Sequence, residues 1–68
     1  MSYRIPQVHY WQSKDGRWRF ALVGANGEPQ AASQGYVTRH GCLSGIVAAK
    51  RNWRRAVARE VAAAPSSL

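Results

Sequence analysis

The chain has 68 residues, one cysteine, two histidines and a formal net charge of +7. That length sets a single-domain limit, and a domain so small buries only about 60% of the surface its unfolded chain exposes. Lone Cys42 excludes an internal disulfide, Cys42 with His9 and His40 makes a poor structural zinc set, and only three acidic residues argue against paired-carboxylate chemistry.

Self-association is the remaining inexpensive route to more apolar burial. Residues 1–6 lack the apolar run of a signal peptide, and no stretch approaches the ~18 uncharged apolar residues of a membrane span, so the cytoplasm is the expected compartment.

In chain order, Val8 to Gln12 is rich in residues suited to a pleated surface and predicts a first strand. Asp15-Gly16 then predicts a turn. From Arg17 to Val23, Trp18, Phe20 and Leu22 alternate with Arg17, Arg19 and Ala21, a period of two that predicts a half-buried strand with its aromatic set inward. Asn26-Gly27 predicts a second turn, of the type I′ hairpin kind. Gln30 to Ser33 reads as a third, weaker strand, with Pro29 at its start or on an edge because proline lacks an N–H.

The period changes after Thr38, which is a credible helix N-cap although no capping box follows it. At about 100° per residue, Cys42, Ile46, Ala49, Trp53, Ala56, Val57 and Ala64 form one apolar stripe, with Arg51, Arg54, Arg55 and Arg59 on the other side. Glu60 interrupts the stripe, so the helix is expected to bend, fray or swing away after Ala58, and 65–68 to be disordered. Gly45, well inside the helix, is expected to permit close approach to a sheet aromatic such as Trp18.

The ordered set Asp15-Gly16, Trp18-Arg19-Phe20-Ala21-Leu22, Ala25-Asn26-Gly27-Glu28, Gly35-Tyr36, Cys42-Leu43-Ser44-Gly45-Ile46 and Lys50-Arg51-Asn52 resembles the DUF1508 family, also called YegP-like or UPF0339. The match runs from about Val8 to Asn52. The resemblance implies an α+β fold: a βββα unit, a three-stranded antiparallel sheet with one C-terminal helix packed on it, paired as a homodimer where only one unit is present. The chain then divides into a 1–7 N-terminal extension, an 8–52 domain and a 53–68 basic helical extension ending in disorder. Gln30, where the family tends to an apolar residue, together with Pro29 points to a weak or exposed third strand. The resemblance supplies a fold and no catalytic residues.

No nucleophile elbow, P-loop or dinucleotide fingerprint occurs, so no catalytic, cofactor-binding or metal-binding residue is assigned and the chain is not expected to be an enzyme. Cys42 reads as a small buried hydrophobe, and His9 and His40 as solvent-facing and without special role. Trp18 and Phe20 read as core. Trp11, on the opposite face of the sheet, is divided between a dimer interface and an exposed stacking platform.

The charge is uneven. Residues 1–38 net +2 (Arg4, Lys14, Arg17 and Arg19 against Asp15 and Glu28), whereas 39–68 net +5 (Arg39, Lys50, Arg51, Arg54, Arg55 and Arg59 against Glu60). Arginine's planar fork suits phosphate, so Arg51, Arg54, Arg55 and Arg59, with Arg17 and Arg19, are the candidate anion or nucleic-acid contacts. The leading expectation is a non-catalytic homodimeric interaction or structural module with an unknown protein partner. The alternative is a nucleic-acid-binding module. A membrane-surface helix over 46–64 ranks last, because its apolar face is mostly alanine.

Overall fold

A computed structural model describes residues 5–64. The expected disorder of 65–68 and the first four residues of the N-terminal extension lie outside the described residues. Strands β1 (Gln7–Gln12), β2 (Trp18–Val23) and β3 (Pro29–Ala32) precede helix α1 (Arg39–Ala49), and strand β4 (Val57–Glu60) follows it. The fold is α+β, with the helix against a mixed sheet of order β3-β2-β1-β4. β1 pairs antiparallel with β2, and β2 with β3, as the family resemblance implies. β4 lies parallel to β1.

The two hairpins turn alike. Gly16 donates to the Ser13 carbonyl and Ser13 donates to the Arg17 carbonyl; Gly27 donates to Gly24 and Gly24 to Glu28 in the same pattern. Among the described residues only Gly16 and Gly27 have positive φ, at 86° and 85°, and Asn26 does not. The second turn is therefore not type I′, which needs two positive angles. It is a three-residue loop closed by a left-handed glycine.

The alternation of β2 delivers its aromatic face to the helix. Val8, Tyr10, Phe20, Cys42, Ile46 and Ala56 form the buried cluster, with Trp18, Leu22, Tyr36, Leu43, Ala49 and Trp53 packed against it. Past β3 the chain stays beside β2. Trp18 and Tyr36 exchange two backbone hydrogen bonds of 2.7 Å, which sets the Tyr36 ring 6.0 Å from that of Phe20. Thr38 caps α1 as expected, its hydroxyl accepting from the Gly41 N–H at 3.0 Å. Gly45 does make room for an aromatic, but the aromatic is Tyr36 rather than Trp18: a Cβ at 45 would collide with the Tyr36 hydroxyl.

The expected helical extension is corrected. α1 ends at Ala49, and the chain continues through tight turns (Asn52 to Ala49, Trp53 to Lys50, Ala56 to Trp53) into a strand. Alanine, arginine and glutamate in 54–63 are good helix formers, so local preference is overridden here. Two tertiary gains outweigh it. Trp53 places its ring edge-on to Phe20 at 6.3 Å with Ala56 buried behind it, and β4 satisfies backbone groups of β1 that a helix would leave unpaired. Trp53 and Ala56 thus reach the core as the stripe foretells, whereas Val57, 49% exposed, and Ala64 do not join it. The sheet has four strands, not three. No single helix spans 46–64, and no helix among the described residues is long and apolar enough to cross a membrane.

Candidate functional site

Where β2 ends, the β2–β3 turn faces the connection between α1 and β4. Between them lies an open cavity of about 440 Å³, lined by Pro6, Leu22, Gly24, Ala25, Gln30, Asn52, Trp53, Arg54, Arg55 and Ala56. The left-handed turn at Gly27 brings Gly24 and Ala25 to one wall, and the tight turns after α1 bring Trp53 to Ala56 to the other. Leu22, Trp53 and Ala56 belong to the core packing, so the apolar part of the lining is held in place. The ionisable groups in the lining are Arg54 and Arg55.

The arginines singled out from the sequence do not share a helical face, because none of them is on the helix. Arg51 lies in the turn just after α1, Arg54 and Arg55 in the cavity-lining connection, and Arg59 on β4. Arg17 and Arg19 flank Gly35, where an added Cβ would lie 2.9 Å from Arg17 Cδ and 3.2 Å from Arg19 Nη2. Arg19 is engaged, 3.3 Å from Asp15 Oδ2. Arg39 binds Glu60 at 3.0 Å and lies 5.7 Å over the Tyr10 ring, joining the start of α1 to β4. Asp15 and Glu60 are thereby occupied, and among the described residues Arg51, Arg54, Arg55 and Arg59 have no acidic partner.

The face of the sheet away from the helix differs from expectation. Register places Trp11 beside Arg19 and His9 beside Arg59. Trp11 is only 5% exposed and His9 8%, so Trp11 is no open stacking platform and His9 does not face solvent. His9 Nε2 lies 3.0 Å from Gln7 Oε1. Burial first, and the Arg59 charge second, push the His9 pKa below its ordinary value. Cys42 is fully buried, and burial pushes its thiol pKa up, as a packing role requires. Among the described residues no group of three His, Cys, Asp or Glu side chains is placed to hold a metal.

The cavity was missed by sequence reasoning. Its walls come from segments distant in the chain, and a continuous helix would have carried Arg54 and Arg55 elsewhere. The departure at Gln30, which lines it, was the available signal.

Comparison with known proteins extends the picture. The family model described as "Domain of unknown function (DUF1508)" matches residues 13–60, and so reaches past Asn52 through β4. A "UPF0339 protein" of Methanosarcina acetivorans is 46% identical over 48 residues, covering 71% of this chain and 83% of that protein. A "UPF0339 protein" of Treponema denticola is 38% identical over 42 residues, 62% of this chain and 72% of its own. The "UPF0339 protein in ptx operon 5'region" of Stutzerimonas stutzeri is 40% identical over 42 residues, 62% of this chain but only 38% of that longer protein. No solved structure gives a significant match.

Proposed function

The chain belongs to the DUF1508 family, a domain of unknown function, and from that premise we propose that it is a non-catalytic interaction module that works as a homodimer. The observation that carries this reading is the edge strand β4, whose four residues are all exposed. Val57 donates to Pro6 and Val61 to Tyr10, so alternation turns the backbone groups of Ala58 and Glu60 outward, available to another strand. The other edge, β3, is a poorer partner, because it begins at Pro29 and carries a register shift opposite Leu22 and Val23.

Charge selects the pairing. In antiparallel self-pairing of β4, one register sets Arg59 against its own copy and another sets Glu60 against its own, and like charges directly opposite are destabilising. The register centred on Ala58 avoids both and sets Val57 opposite Arg59 of the second copy. The resulting continuous sheet removes an open edge and adds the burial that a domain of this length lacks.

Analytical ultracentrifugation tests the reading. The wild-type chain is expected to sediment as a dimer and Ala58→Pro as a folded monomer, since proline removes an outward N–H that the β1 ladder does not use. A wild-type monomer at high micromolar concentration overturns the reading, and a dimer indifferent to Ala58→Pro removes β4 from it.

A second reading, nucleic-acid binding, is favoured by Arg51, Arg54, Arg55 and Arg59, which have no acidic partner among the described residues. Affinity for RNA or DNA that falls steeply between two salt concentrations supports it, through counterion release. Equally weak binding at both removes it.

A further inference from the structure

We propose that the cavity between the β2–β3 turn and the α1–β4 connection is a binding site for a small organic anion: an apolar body, aromatic or short aliphatic, bearing one carboxylate or phosphate. The apolar part would rest on Leu22, Trp53 and Ala56, and the charged head would be held by Arg54 and Arg55.

Size is the first argument. At about 440 Å³ the cavity lies within the ~300–1,000 Å³ span of small-molecule pockets, and suits one compact molecule rather than a polymer. Rigidity is the second. Trp53 is fixed edge-on against Phe20, and Ala56 is 3% exposed within the core cluster, so the wall exists before the ligand arrives. Binding to a formed wall avoids the ordering cost a flexible site would carry.

Charge complementarity decides the class of ligand. The ionisable lining is cationic, and among the described residues no acidic side chain pairs with it. Asp15 is held by Arg19, Glu60 by Arg39, and Glu28, although in the adjacent turn, does not line the cavity. Two arginines adjacent in the chain, both lining a cavity whose walls include Leu22, Trp53 and Ala56, match a head group that accepts charge-assisted hydrogen bonds. A neutral molecule would leave both arginines unmatched, and an inorganic anion would leave the apolar wall wet. The site uses no residue of β4.

The test is a ¹⁵N-HSQC titration of the full chain with 3-phenylpropionate, octanoate, phenyl phosphate, inorganic phosphate and neutral 3-phenylpropionamide. At least one of the three organic anions is expected to give saturable shifts at the Trp53 indole, Leu22 and Ala56. Comparing carboxylate with phosphate then identifies the preferred head. The amide and inorganic phosphate are expected to bind about tenfold more weakly or worse, as loss of a charge-assisted contact requires. The R54Q/R55Q variant should lose a similar factor. Ala25→Phe, at an exposed turn position lining the cavity, should block binding while leaving the circular dichroism spectrum unchanged. Absence of saturable binding by every organic anion, equal response to the amide, or shifts centred on Arg17 and Arg19 instead would overturn the proposal.

Discussion

The Tyr36 phenol occupies the space that a side chain on residue 45 would need, and the same ring stacks at 6.0 Å on Phe20. One tyrosine thereby couples the helix to the sheet, and Gly45 is the condition of that contact. In an open helix Gly→Ala would add about 1 kcal/mol of stability. Here the ring must move, and overpacking costs about 1–3 kcal/mol. Gly45→Ala is therefore expected to destabilise the domain by about 1 kcal/mol or more in urea unfolding. Removing the hydroxyl with Tyr36→Phe should reduce that cost, with a coupling of at least about 0.5 kcal/mol in the double-mutant cycle. Additive effects would show that the two residues do not compete for space.

His9 predicts a loss of stability on mild acidification. Its folded pKa is lowered, by burial and then by Arg59, so the unfolded chain binds the proton more readily. The contribution is present above the unfolded value of about 6.5 and is lost as pH falls from there through the lowered folded value. The melting temperature should fall between pH 7.5 and 5, and His9→Gln should flatten that part of the profile. An unchanged slope in His9→Gln would assign the effect to other groups.

Asp15 predicts a second, separate acid step. Its carboxylate accepts from the Ser13 hydroxyl at 2.7 Å, the Arg17 N–H at 3.0 Å and Arg19 at 3.3 Å. The Ser13 bond, then the Arg17 bond, hold the carboxyl pKa down at about 2. Stability from this turn is present above the unfolded value and lost as pH falls from there through about 2. Asp15→Asn should remove that step while retaining a local turn acceptor, measurable by near-ultraviolet circular dichroism between pH 5 and 2. Persistence of the full step would place it on another carboxyl group.

Thr38→Ala should cost about 1 kcal/mol by stripping the cap from α1, and Thr38→Ser should restore most of it. Equal losses in both variants, in chemical denaturation, would show that the methyl group and not the hydroxyl matters.

Residues that pair with near neighbours were legible in order. The aromatic alternation of β2, the positions of the Asp-Gly and Asn-Gly turns (though not the type of the second) and the Thr38 cap are each stated within a few positions, because sterics and hydrogen bonding act there at short range. The apolar stripe named Trp53 and Ala56 as core correctly, while assigning them to the wrong element.

Local chemistry therefore established three strands joined by two turns, the helix start and the inward face, and the family resemblance implied their antiparallel pairing. Tertiary packing alone settled the end of α1, the return of Val57–Glu60 beside β1, and the meeting of Arg54 and Arg55 with the β2–β3 turn. The reason is physical. A segment of alanine, arginine and glutamate favours a helix by tenths of a kcal/mol per residue, and the unpaired edge of β1 together with the face of Phe20 outbid it. Those groups lie more than thirty residues away, where no local pattern can register them.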